Sequence, residues 1–201
     1  VLFVPYAVVD HDAYTERMRG RLAPYGCTVT GMHTVADPLA ALHDCDVVYV
    51  GGGNTFRLLK TVRELGVIET IRERVGTGAL RYMGSSAGSN LATPTIKTTN
   101  DMPILDPHGF EALGLVDFQI NPHFVEADPD STHMGETREQ RIAEFHEENA
   151  TPVVGLPEGA LIRVRAGRTV LGGKTGAVVF LRDQAPLRVG PGDDLTGTLR
   201  T

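Results

Sequence analysis

Short apolar runs of strand length recur along the chain at residues 1–4, 27–32, 47–50, 79–83, 116–120, 153–156 and 160–164. Between several of them, at 15–25, 56–65, 67–75 and 137–148, apolar residues return every three to four positions with charges opposite, the spacing of an amphipathic helix. This alternation through the first half predicts an α/β fold with a mainly parallel sheet and helices on both faces. The tail reads differently. Residues 160–164, 169–172 and 177–181 are short and separated by turns such as Ala166-Gly167 and Gly172-Gly173, so short antiparallel strands are expected at one edge. No repeat, low-complexity tract or linker divides the chain, and one α/β domain over residues 1–201 is expected. The chain opens directly on the strand-like run Val1-Leu2-Phe3-Val4-Pro5, without a Met, which leads to the expectation of a further strand upstream.

Composition narrows the function. A chain of 201 residues that is 41% hydrophobic can bury a sizeable core. Its formal charge of −6 and scattered Lys and Arg residues offer no basic stripe, which argues against a nucleic-acid partner. Cys27 and Cys45 lack metal-ligand spacing and suit a reducing compartment. No apolar run approaches the roughly 18 residues of a membrane span, so no membrane partner and a cytoplasmic location are expected.

The chemistry concentrates in Gly84-Ser85-Ser86-Ala87-Gly88, a G-x-S-x-G pattern. A serine at the apex of a sharp strand-to-helix turn needs small neighbours, and Ser86 is thereby nominated as a nucleophile. Such a serine requires a base, an acid to orient the base, and donors for the developing oxyanion. His123, in Asn121-Pro122-His123-Phe124 after an apolar run, is the preferred base, because strand C-terminal ends carry the sites of open α/β sheets. The other six histidines, including His133, sit in polar or helical surroundings. Two acids compete for the third place: Asp101, and Glu158 after the run 153–156. Glu158 is preferred, with Asp101 kept as a supporting or substrate-side carboxylate. The oxyanion donors would be the N–H of Ala87 and one from Gly51-Gly52-Gly53-Asn54. That glycine run matches neither the dinucleotide nor the P-loop pattern.

With these residues in place, the chain resembles the aspartyl dipeptidase (peptidase E) family of serine peptidases. The likeness is carried in order by 35–41, Gly51 to Phe56, Gly84 to Asn90, 94–96 with 98–103, 120–124, 135–142 and 155–159. It implies a fold of the class I glutamine amidotransferase type and a Ser86, His123, Glu158 triad. It further implies oxyanion donors at Gly53 and Ala87 and no metal or cofactor. Asp101 also matches a family position associated with activity. One departure is Ser85, where the family carries a bulky residue, and this alters the pocket wall.

The resemblance implies a small peptide substrate with an N-terminal aspartate, whose carboxylate and ammonium must both be bound. Thr137 and Gln140 fit a capping box that puts Arg138 in a first helical turn, where the helix dipole disfavours a cation by ~0.3–1 kcal/mol. An anion held there would resolve the conflict, with Arg141 one turn further along the same face. Glu126, Glu136 and Asp101 remain equal candidates for the ammonium, and Asn54 is a further candidate contact. The Pro, Asp and Gly content of residues 124–137 predicts a mobile segment beside Arg138. Three other readings stay open: a β-aspartyl or cyanophycinase-like peptidase, an α/β-hydrolase-type esterase using Ser86, Asp101 and His123 in that order, and an inactive ligand-binding homologue. Self-association into a homodimer is also left open.

Overall fold

The computed structural model describes residues 1–127 and 135–200. Half of the segment expected to be mobile, residues 128–134 with His133 among them, lies outside the described residues. The chain forms two compact units, one of Val1–Ile96 with Asp101–Leu115 and the other of Lys97–Asn100 with Val116–Thr201.

The first unit holds a four-stranded, wholly parallel sheet. Its strands are β1 (Leu2–Val4), β2 (Thr30–Gly31), β3 (Val47–Val50) and β4 (Arg81–Gly84), in the order β2-β1-β3-β4. The helices are α1 (His11–Leu22), α2 (Pro38–Asp44), α3 (Thr55–Glu64), α4 (Ile68–Gly76) and α5 (Ala87–Ala92). The period-two alternation of the strands sorts them onto two faces. Leu2, Val4, Val48 and Val50 pack with Leu42 of α2, Leu58, Leu59 and Val62 of α3, Ile71 of α4 and Leu91 of α5. Phe3 points the other way, into a cluster with Met18 of α1, Val29 and the ring of Tyr49. Helices therefore cover both faces, as the pattern required.

Helix starts are set by side-chain caps. Asp10 accepts from the Ala13 N–H at 2.9 Å, Asp37 caps α2 with Pro38 at its first turn, and the Asn54 side chain accepts from the Arg57 N–H at 3.1 Å. The Asp10 cap starts α1 four residues before the periodic stretch 15–25. That stretch finishes in a short 3₁₀ turn, Ala23–Tyr25, because Pro24 cannot extend an α-helix. The run 27–32 contributes only Thr30–Gly31 as strand, and Met32–Thr34 turns off as a second 3₁₀ segment.

The second unit is built on β5 (Gln119–Pro122), β6 (Val153–Leu156), β9 (Ala177–Phe180) and β10 (Leu187–Val189), in the order β10-β9-β6-β5. The β5/β6 pair is parallel, while β9 and β10 run antiparallel at the other side. Between them in sequence, β7 (Ala160–Arg165) and β8 (Arg168–Gly173) pair as an antiparallel ribbon, and Val170 of β8 also bridges to Asp194. One sheet face carries Val153, Val178 and Phe180 against Ile142 and Phe145 of α6 (Arg138–Glu148). The opposite face carries Ile120, Val154 and Val179, packed with Leu171 of the ribbon and with Leu195 and Leu199. Among the described residues no helix is long and apolar enough to cross a membrane.

Candidate active site

In the first unit, parallel register sets two loops side by side. Val50 of β3 is level with Gly84 of β4, so Gly51 and Ser85 leave the sheet together, and the Ser85 N–H donates to the Val50 carbonyl at 3.1 Å. Ser86 then sits at φ 53°, ψ −114°, as the residue before α5, with no side-chain capping bond. A non-glycine residue there is strained, by about 1–3 kcal/mol, and this is the sharp strand-to-helix turn expected of a nucleophile elbow.

The glycines around Ser86 are required by contact. A methyl on Gly84 would overlap the Gly88 carbonyl, and one on Gly88 would overlap the Val50 carbonyl. A methyl on Gly52 would lie 2.9 Å from Ser86 Cβ, so the glycine loop runs directly against the serine. Gly53 combines φ 133° with an approach that would set a methyl 2.5 Å from the Ala7 carbonyl oxygen. The Tyr82 hydroxyl donates to the Gly88 carbonyl at 2.7 Å and ties β4 to the first turn of α5. Gly52 gives its N–H to the Tyr14 hydroxyl at 2.8 Å. Among the described residues, the N–H groups of Gly53 and Ala87 donate to no acceptor.

Asn54 and Asp101 hold the rim of this loop. Asn54 Nδ2 donates to the Met102 carbonyl at 2.9 Å. Asp101 Oδ2 accepts from the Thr55 N–H at 2.8 Å and from Thr55 Oγ1 at 2.6 Å, at the start of α3. Asp101 thus has a capping role that its loop position did not reveal.

The second unit repeats the device with side chains. Pro122 of β5 is level with Leu156 of β6, so His123 and Glu158 emerge from adjacent parallel strands. His123 Nδ1 is hydrogen-bonded to Glu158 Oε1, and His123 itself has φ 54°. Of the two acids weighed from sequence, Glu158 is the one that meets His123 within this unit. Gly155 matters here, because a methyl on it would strike the Phe124 ring at 2.7 Å. The Glu158 turn is fixed by Thr175 Oγ1, which donates to the Glu158 carbonyl at 2.7 Å.

The capping box at the start of α6 is present: the Gln140 N–H donates to Thr137 Oγ1 at 3.1 Å, and the Thr137 N–H to Gln140 Oε1 at 2.7 Å. Arg138 follows, half-buried, with Nη1 donating to Asn100 Oδ1 at 2.7 Å. Burial first and the Arg141 charge second lower its pKa from the usual arginine range. Among the described residues no carboxylate pairs with Arg138. Arg141 is exposed and pairs with Glu136 at 3.4 Å. Glu126 is taken up by Arg188, whose hydrogen bonds hold its carboxyl below the ordinary value. Sequence reasoning missed Asn100, which lies beside Asp101 and carries no motif of its own. Among the described residues no group of three or more His, Cys, Asp or Glu side chains is arranged to hold a metal ion.

Residues 1–172 match the model of peptidase family S51. The chain belongs to that family. Among S51-like relatives, it is 54% identical over 197 residues to a peptidase E of Streptomyces coelicolor, covering 98% of this chain and 81% of that protein. It is 46% identical over 200 residues to a Drosophila melanogaster protein named "Probable alpha-aspartyl dipeptidase", covering 100% and 83%. The crystal structure of a peptidase from an acI-B1 Actinobacterium shares the fold, with TM-score 0.71 at 14% identity, over 96% of this chain and 81% of that one. The S51 chain is thus a serine-type peptidase on an α/β fold.

Proposed function

We propose that this peptidase releases aspartate from Asp-Xaa dipeptides through an acyl-enzyme on Ser86. The observation that carries the nucleophile is the strained elbow backbone of Ser86, with the Ala87 and Gly53 N–H groups donating to no acceptor among the described residues. The names borne by the relatives supply the aspartyl preference, and Arg138 supplies a chemical reason for it. It is a partly desolvated cation at a helix start that pairs with no carboxylate among the described residues, suited to the substrate's side-chain carboxylate.

In this reading the Glu158 bond to Nδ1 orients the His123 ring and leaves Nε2 as the base. His123 takes the Ser86 proton as Ser86 Oγ attacks the Asp-Xaa carbonyl carbon. The Gly53 and Ala87 amides receive the oxyanion, and His123 returns the proton to the departing amine. Water then attacks the ester with His123 again as base, and aspartate leaves as Ser86 regains its proton. Two free cysteines fit the reducing, cytoplasmic setting that we assign to the enzyme.

The test is hydrolysis of Asp-Leu, Asn-Leu, Glu-Leu and Ala-Leu by the chain and by Ser86→Ala. Selective release of aspartate from Asp-Leu is expected, falling by about 10⁴-fold or more in the variant. Undiminished turnover by Ser86→Ala would reject the mechanism. Preference for β-linked aspartate, turnover of simple esters only, or binding without turnover would each select one of the other three readings.

A further inference from the structure

We infer that Asn100 is a positioning residue that holds Arg138 with a neutral acceptor, so that the guanidinium charge stays available to the substrate, and that ties this recognition arm to the backbone of the base, His123. The inference rests on the proposed roles of Arg138 and His123 and concerns contacts made within the second unit alone.

Three hydrogen bonds converge on one side chain. Asn100 Oδ1 accepts from Arg138 Nη1 at 2.7 Å and from Asn121 Nδ2 at 2.8 Å, while Asn100 Nδ2 donates to the Pro122 carbonyl at 2.6 Å. The partners fix which way the amide points. A guanidinium and an amide nitrogen only donate, and a carbonyl only accepts, so the oxygen faces the first two and the nitrogen the third. Asn121 is itself buried and oriented by the Thr98 carbonyl, which its Nδ2 meets at 2.9 Å. Thr98 Oγ1 donates in turn to the Ile120 carbonyl at 2.8 Å. Residues 97–100 are thereby laced along β5, whose last residue, Pro122, precedes His123.

The two arginines of α6 show why neutrality matters. Arg141 is exposed and its charge is met by Glu136. Arg138 is more buried and is anchored by an amide dipole instead. An aspartate at position 100 would satisfy both donors. It would also cancel the guanidinium charge and set a carboxylate oxygen against the Pro122 carbonyl, where a donor is needed. Asparagine alone among residues of this size offers an acceptor and a donor in one plane without a net charge.

The experiment is a double-mutant cycle on Asp-Leu and Asn-Leu, measured as KM and kcat for Arg138→Ala, Asn100→Asp and the double variant. Arg138→Ala is expected to raise KM for Asp-Leu and to lower its selectivity over Asn-Leu by at least about tenfold. Asn100→Asp is expected to lower that selectivity by at least about tenfold. In the Arg138→Ala background the same change should move selectivity less than about twofold, because the charge it acts through is gone. Asn100→Ala, which removes the tie to Pro122 as well, should raise KM and lower kcat together; it serves in the same cycle if the aspartate form does not fold. If Arg138→Ala loses selectivity while both Asn100 variants keep it, the inference is wrong and the reading of Arg138 stands. Equal losses in both backgrounds would also overturn it, since Asn100 would then act through the fold. Should Arg138→Ala keep full selectivity for Asp-Leu, the proposed role of Arg138 falls, and this inference with it.

Discussion

Each of the two units presents its own candidate residues, and they do so by opposite means. In the first, adjacent parallel strands β3 and β4 deliver a glycine loop and an elbow, and what they present is largely backbone: a serine at an unusual dihedral and two N–H groups that meet no acceptor among the described residues. In the second, adjacent parallel strands β5 and β6 deliver His123 and Glu158, and Asn100 delivers Arg138, all through side-chain hydrogen bonds. The same sheet geometry thus serves backbone crowding in one place and polar pairing in the other. The first should fail when volume is added. The second should fail when charge or a donor is changed at constant volume.

The sharpest test of that division is Glu158→Gln, an isosteric change. It should lower kcat on Asp-Leu by about 10²–10⁴-fold with KM and thermal stability nearly unchanged, because the His123 ring loses the carboxylate that orients it. Unaltered kcat would break the comparison on the side-chain half. Next comes Gly88→Ala, whose added methyl overlaps the Val50 carbonyl. A loss of about 1–3 kcal/mol in chemical denaturation is expected, with turnover lost alongside it; a stable, active variant would show that the elbow does not depend on crowding.

The smallest effect concerns a carboxylate outside the proposed chemistry, beside β8 in the second unit. Asp194 accepts from the Thr196 hydroxyl and N–H and from Arg168, and these bonds, the Thr196 hydroxyl foremost, push its carboxyl down to about 2. A pKa depressed in the folded state stabilises above the unfolded value of about 3.9, and the contribution is lost as pH falls through about 2. Asp194→Asn should therefore be slightly less stable than the parent at pH 6, with the gap closing as pH falls below about 2, read by denaturant midpoints. A gap that persists in acid would mean that packing, not charge, is what the residue provides.

The same division explains what could be read from the sequence. The elbow was legible because crowding leaves a local signature, glycines at fixed offsets around Ser86 and again at 51–53. Apolar runs placed β3, β6 and β9 closely, since largely buried strands are written in consecutive apolar residues, and they placed the more exposed β7 as well. Asn100 left no such mark: its partner Arg138 is 38 positions away, and a single asparagine in a polar loop looks like a turn residue. The sequence favours Glu158 over Asp101, but the Glu158 contact to His123 rests on the β5/β6 register, which local pattern does not carry. β10 escaped notice because three residues, two of them exposed, are too few to show a period.

The dihedral of Ser86 has a consequence for how such a protein would decay. Glycine would adopt φ 53°, ψ −114° with far less strain, so one substitution is open that relaxes the turn while discarding the hydroxyl. A lineage that no longer hydrolysed peptides would meet a downhill step at this codon on every generation. Under the proposed mechanism, the oxygen is what the strained serine keeps.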